Sequence, residues 1–177
     1  MPLALRRTSD PSADLLALTG MTVQRICDPR FMAVLQGRTI EEITRRFDED
    51  HRAYVAFVHG EPAGWGWVAT STAHIGELDT TFRIPKGERY LWNFVTLPTH
   101  RGKGIYPRLL DGIVRAESHD AHAFWVAYAP ENHASAAGIH KAGFTTIALL
   151  SFAPDGAPAI EPVTKDGSAA ARLLGIP

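Results

Sequence analysis

The spacing of apolar and polar residues divides the chain into short segments. Leu3 to Arg7 reads as a short first strand. Asp10-Pro11-Ser12 then marks a helix start, and Leu15, Leu16, Leu18, Met21, Val23 and Ile26 give 13–26 a loose helical spacing interrupted at Gly20. Thr39 before Ile40-Glu41-Glu42 predicts an N-cap and a helix to about Phe47. Tyr54 to Val58 and Ala63 to Thr70, joined by His59-Gly60-Glu61-Pro62, predict a β-hairpin. Ile84-Pro-Lys-Gly87 is a second turn, and Tyr90 to Leu97 a strand. Ile105, Leu109, Leu110, Ile113 and Val114 line one face of a helix, with Asp111 and Arg115 as a surface pair on the other. Ala123 to Tyr128 is another strand, Asn132 caps a short helix closed by Gly143, and Phe144 to Phe152 is a final long strand. The remainder is Pro/Gly/Ala-rich, with a short strand near Ile160 and a helical patch at Ser168 to Leu174. The succession βααβββαβαβ predicts one mixed α/β domain over 1–177, with 154–177 as a C-terminal extension.

Composition narrows the function classes. At 177 residues the chain buries a core without metal or disulfide staples, and 45% apolar with 21% charged residues excludes general disorder. A net charge of −1 excludes a surface built throughout for nucleic acid, so any basic site is local. Cys27 is the one cysteine, which excludes an internal disulfide and fits a reducing cytoplasm. Between Ile26 and Asp28 it reads as a buried structural thiol. Arg6 and Arg7 have no apolar stretch of signal-peptide type behind them, and no run reaches the ~20 apolar residues of a membrane span, so the expected location is cytoplasmic, with no membrane partner.

The local basic site is Phe94-Val-Thr-Leu-Pro-Thr-His-Arg-Gly-Lys-Gly-Ile105. A β-prone run ends at Pro98, a basic glycine-rich turn follows, and a helix starts directly after it. Such a junction aims backbone amides at an anion, and Gly102 and Gly104 let a ligand approach without a Cβ clash. A helix terminus contributes ~0.3–2 kcal/mol per anionic charge and a charge-assisted hydrogen bond ~1.5–3 kcal/mol. Arg101, Lys103 and Arg108 flank the turn, so a phosphate or pyrophosphate is the expected ligand. It is not a P-loop, because Leu97 stands where the first glycine belongs and Gly104 follows Lys103. Pro107 in the third glycine position excludes a dinucleotide turn. Gly64-Trp-Gly66-Trp-Val-Ala69 fits Gly-x-Gly-x-x-Ala but lies inside a hairpin strand, where it marks one bulky and one small face.

Val95-Thr-Leu-Pro-Thr-His-Arg-Gly-Lys-Gly-Ile105 resembles the acyl-CoA signature of the GNAT superfamily of N-acyltransferases, Arg/Gln-x-x-Gly-x-Gly/Ala. Asn132, a short helix and Lys141-Ala-Gly-Phe144 resemble that family's second element, and the two together cover about residues 88–144. The resemblance implies a single-domain GNAT-like α/β (α+β) fold: a mixed, mostly antiparallel central sheet, helices on both faces, and two splayed central strands around the turn. It implies acetyl-CoA as acyl donor and no metal. The pyrophosphate would lie on the amides of Arg101, Gly102, Lys103, Gly104, Ile105 and Tyr106, and the pantetheine arm beside Phe94, Val95 and Thr96, with Asn132 touching the arm. Tyr106 departs from the signature's final Gly/Ala, so its ring must point away. Ile139 stands where the family often has the tyrosine that protonates the thiolate, and His140 beside it projects about 100° around the helix.

Chemistry sets how much that loss costs. A thiol of pKa roughly 8.5 leaves tolerably without an acid. The oxyanion needs donors, and the amides of Val95 or Thr96 are candidates. A lysine-type amine is neutral in only ~1 of 2,500 copies at pH 7, so it needs a base. Glu88, sharing a strand face with Tyr90 and Trp92, is the first candidate base, Glu77 the second, and Tyr128 the candidate acid. His119-Asp-Ala-His122 fits no standard metal-ligand spacing. Trp65, Trp67, Trp92 and Trp125 read as core or as walls of an apolar acceptor pocket. The expected activity is direct acetyl transfer to an amine of a small-molecule or peptide acceptor, with a homodimer as an open expectation. The alternative is a non-catalytic acyl-CoA-binding or protein-interaction domain.

Overall fold

The computed structural model describes residues 1–154 and 156–175, so residues 155, 176 and 177 of the expected C-terminal extension lie outside the described residues. Ten strands and five α-helices follow in the order β1 (Pro2–Arg7), β2 (Met21–Ile26), α1 (Pro29–Gln36), α2 (Ile40–Asp48), β3 (His51–Val58), β4 (Glu61–Ala69), β5 (Thr72–Ile75), β6 (Thr80–Arg83), β7 (Glu88–Thr96), α3 (Ile105–Glu117), β8 (Ala123–Ala127), α4 (His133–Lys141), β9 (Thr145–Phe152), β10 (Pro158–Pro162) and α5 (Ser168–Leu174). Eight strands form one sheet in the order β10-β9-β1-β8-β7-β4-β3-β2, and β5 and β6 form a separate hairpin. Every pair in the large sheet is antiparallel except β7 with β8. The fold is thus the expected mixed, mostly antiparallel α/β sheet with helices on both faces.

Side-chain alternation along the strands builds the two faces. Ala4, Leu91, Phe124 and Val126 pack against Ile105, Leu109, Leu110 and Ile113 of α3 and Ile139 of α4. On the opposite face, Leu3, Leu5, Tyr90 and Trp125 pack beneath the β5–β6 hairpin and α5, and Val55, Trp65 and Trp67 beneath α1 and α2. Thr39 caps α2, as its sequence predicts, and Glu42 completes a reciprocal capping box. Among the described residues no helix is long and apolar enough to cross a membrane.

Three expectations change. Residues 13–26 do not form a helix: 11–18 have no regular structure, Gly20 sits at φ 74°, and β2 follows. Met21 and Val23 alternate with exposed Thr22 and Gln24, a period of two that the neighbouring leucines obscure. The helix starts later, where Asp28 accepts from the amides of Arg30 and Phe31 with Pro29 in the first turn, and this leaves Cys27 exposed rather than buried. Asp111 is not a surface residue: it is 6% exposed and takes Arg6 at 2.9 Å on one oxygen and Arg115 at 2.7 Å on the other. The β5–β6 hairpin has too few alternating positions to show in the sequence.

The C-terminal elements are built into the sheet and its face. β10 pairs with β9, and Ala170, Leu173 and Leu174 of α5 are buried. Arg172 of α5 reaches Glu88 at the start of β7 at 2.6 Å, and Trp125 Nε1 donates to the other Glu88 oxygen at 2.6 Å. Replacing Arg172 with methionine leaves that buried carboxylate without its cation. We expect a loss of about 1–3 kcal/mol, read as a thermal midpoint a few degrees lower. An unchanged midpoint would show the clasp to be dispensable.

Candidate active site

The site begins where the one parallel pair comes apart. β7 and β8 are paired only from Glu88 and Ala123 to Leu91 and Val126. Beyond Leu91, β7 stays with β4 and β8 stays with β1. A bulge drives the separation: Trp67 faces Trp92 and Trp65 faces Val95, so Asn93 and Phe94 together oppose Gly66. Asn93 adopts φ 51°, a left-handed conformation in mid-strand. Gly66 is required there, since a Cβ would lie 2.1 Å from the Phe94 ring. The tryptophan-glycine alternation of β4 therefore makes room for the bulge. The gap opens into a cleft of about 1140 Å³.

One wall is the glycine turn. Gly102 and Gly104 have φ of 75° and 69°, and Gly104 is the N-cap of α3. No side chain caps that helix, so its first amides are available to a ligand. Arg101 and Lys103 are exposed beside it, with Arg101 Nε donating to the Thr96 carbonyl at 3.4 Å. Arg108 has a different role from the expected phosphate neighbour. Its Nη1 donates to Gly104 O at 2.8 Å, while Nε and Nη2 donate to Leu16 O at 3.0 and 2.8 Å. It ties the strap 11–18 to the turn. The Tyr106 ring packs against Phe94, centroids 5.4 Å apart, and fills the space over Gly138. Burial pushes its hydroxyl up to about 12, and that hydroxyl shares a hydrogen bond with Ser135. It is a packing group.

The other walls carry the candidate chemistry. Phe94, Val95, Thr96, Tyr128 and Asn132 all border the cleft. From Trp92 onward β7 has no β8 partner, so its backbone groups on that edge are open to a ligand. Tyr128 shares a 2.7 Å hydrogen bond with Thr146, which His140 Nε2 also reaches at 3.0 Å. Asn132 caps α4 by accepting from the Ser135 amide at 2.9 Å. Ile139 is fully buried in the core beneath α4. Glu77 borders the cleft from the β5–β6 connection, on the face opposite α3, and is exposed.

Glu88 is displaced from the role its strand parity suggested. It lies at the closed end of the β7–β8 pair, is 2% exposed, and both oxygens are held by Arg172 and Trp125. Parity put it on one face with Tyr90 and Trp92, but the closed β7–β8 pairing at Glu88 and its contacts to Arg172 and Trp125 keep it out of the cleft. Trp65, Trp67 and Trp125 are core residues, and Trp92 alone of the four borders the cleft. His119 pairs with Asp120 at 3.2 Å, and no group of three potential metal ligands forms among the described residues. Sequence reasoning did not find the Asn93 bulge or the Arg108 latch. The glycine alternation opposite Phe94 was the available signal for the first; the second needed the fold.

A protein-family model described as the acetyltransferase (GNAT) family matches residues 22–144. No curated protein matches the chain in sequence. Among solved structures, an aminoglycoside acetyltransferase AAC(6')-Ib in complex with coenzyme A and kanamycin is similar at TM-score 0.58 and 19% identity, over 86% of this chain and 99% of that one. The same enzyme with paromomycin and acetyl-CoA gives TM-score 0.58 at 19% identity, over 86% and 98%. A GNAT-family acetyltransferase from Colwellia psychrerythraea gives 0.54 at 14%, over 82% of this chain and 52% of that one. At these identities the likeness is one of fold.

Proposed function

The chain belongs to the acetyltransferase (GNAT) family, and on that premise we propose that it moves an acetyl group from acetyl-CoA directly to the amine of an acceptor. The observation that carries this reading is the uncapped N-terminus of α3 beside an unpaired strand edge. The amides of Arg101 through Tyr106 suit a pyrophosphate, and the open edge at Phe94, Val95 and Thr96 suits the amide-bearing pantetheine arm. Asn132 would add a contact from the α4 side while it caps the helix.

The acceptor then approaches the thioester through the gap from the Trp92 side. Its nitrogen lone pair attacks the carbonyl carbon, and open β7 amides stabilise the oxyanion. The C–N bond forms, the C–S bond breaks, and the ammonium proton leaves. Glu77 is the carboxylate on the acceptor side of the cleft and is our proposed base, acting directly or through water. Tyr128, positioned by Thr146, is our proposed proton donor to the departing thiolate.

The test is CoA thiol release from acetyl-CoA across an amine panel. Turnover supports the reading, whereas acetyl-CoA binding without turnover on any amine supports a non-catalytic binding domain. With a working acceptor, Glu77→Gln is expected to lower kcat/KM by about 10²-fold and remove its acid limb. Tyr128→Phe is expected to lower kcat by roughly 10-fold with little change in KM for acetyl-CoA, because a thiolate leaves readily. A wild-type pH profile in Glu77→Gln would dismiss that base.

A further inference from the structure

α2 turns one arginine inward over the sheet, and it reaches the cleft only through Trp92. The Arg46 guanidinium lies 5.1 Å from the Trp67 ring centre and 5.0 Å from that of Trp92, the tryptophan that borders the cleft. Gln36 fixes the arrangement, its Oε1 accepting from Arg46 Nη1 at 3.2 Å and from Trp67 Nε1 at 3.4 Å. His51 closes the cluster, its ring edge-on to Trp92 at 5.1 Å and its Nε2 on the Thr72 carbonyl at 3.2 Å.

This cluster has more donors than acceptors. Among the described residues no carboxylate forms an ion pair with Arg46. Glu42, one turn earlier, is engaged by the Thr39 amide and Arg38. Glu42 and Glu49 act on Arg46 only at longer range, while Arg38 and Arg45 oppose its charge. Burial lowers the Arg46 pKa first of all, so the cation is held there at a cost. Gln36 Nε2 and Trp92 Nε1, both donors, are buried with no partner. Buried polar groups are nearly always satisfied, and a half-buried guanidinium without a carboxylate is a place for one.

We infer that Arg46 receives a carboxylate of the acceptor, which makes the acceptor an amino-carboxylate, an amino acid or short peptide, rather than a polycation. The inference rests on the acetyl-transfer reading above. Its amine would lie at the Trp92 and Glu77 end of the cleft and its carboxylate on the open side of the Arg46 guanidinium, beside Trp92. A planar guanidinium on an aromatic platform matches a carboxylate's two oxygens. Two carboxylates border the cleft, Glu77 from the β5–β6 connection and Asp14 from the strap that Arg108 ties to the turn, few for an acceptor carrying many ammonium groups.

The test pairs amino acids with their decarboxylated amines, for example tryptophan with tryptamine, and compares wild type with Arg46→Met and Arg46→Lys. Each enzyme sees the same amines, so differences in basicity cancel in the comparison. We expect the kcat/KM ratio of carboxylate over decarboxylated substrate to fall at least tenfold in Arg46→Met, through KM, with Arg46→Lys in between. A ratio equal in wild type and Arg46→Met overturns the inference. Calorimetric binding of the same pairs to the CoA-bound protein reads the contact without turnover. Tighter binding of the carboxylate member to wild type than to Arg46→Met upholds the inference even if no thiol is released, whereas equal binding of both members to wild type overturns it. Absent thiol release with any amine would count against the acetyl-transfer reading alone.

Discussion

Gly104→Asp is expected to abolish donor binding, raising the Kd for acetyl-CoA at least 100-fold. Two effects combine. At φ 69° any side chain is strained, by roughly 1–2 kcal/mol. The new carboxylate would also stand at the mouth of the uncapped α3 N-terminus, where a pyrophosphate needs donors, and turn attraction into repulsion. A Cβ there would lie 2.3 Å from Arg108 Nη1, so the latch to Leu16 must shift as well. Gly37→Asp is the control. It has φ 62° with nothing within 4 Å, so it shares the strain without the site. Calorimetric titration should show Gly37→Asp binding acetyl-CoA normally and Gly104→Asp not at all. Wild-type affinity in Gly104→Asp would place the pyrophosphate elsewhere.

The largest stability effect is expected from Glu117→Gln. Glu117, at the end of α3, is 1% exposed and accepts from Arg52 Nη1 at 2.5 Å, Tyr54 Oη at 2.5 Å and Arg89 Nε at 2.8 Å. The amide leaves Arg89, 6% exposed, without a counter-charge. Breaking such a buried pair costs about 3–5 kcal/mol, a drop of roughly 10 °C in thermal midpoint for a domain of this size. Burial alone would raise the Glu117 pKa, but the three hydrogen bonds outweigh it and hold the carboxyl below the usual glutamate range. A depressed group adds stability above its unfolded pKa and loses it as pH falls toward the folded value. Wild type should therefore lose this contribution on acidification, and Glu117→Gln should show a flatter acid limb in chemical denaturation. Parallel acid limbs would mean the network is not what α3 contributes.

Legibility followed the range of the signal. The Thr39 cap, the apolar face of α3, the Asn132 cap and the helical patch at Ser168 to Leu174 are local, and the fold reproduces them. The backbone of the glycine turn was legible for the same reason, since its left-handed glycines and the helix start sit within a few residues. Misreadings came where a distant partner decides. Glu88 looked available because Arg172 is 84 positions away in sequence, and Asp111 looked exposed because Arg6 reaches it from β1, 105 positions earlier. The leucines before β2 imitated a helix because the strap they occupy is held from outside, by Arg108. Arg46 gives no sign in the sequence: on α2 it is one of two adjacent arginines, and only the fold stacks it on two tryptophans.

The parted strands have a further consequence for how the molecule behaves in a crowd. A bare strand edge at a sheet's rim recruits other polypeptides and seeds aggregates. Here the exposed backbone rows lie inside the sheet, between β7 and β8, and the closed end at Glu88 and Ala123 seals the seam from one side. The bulge at Asn93 spoils the flat register that a visiting strand would need. The fold keeps its unfilled strand position in the middle of the sheet rather than at the rim.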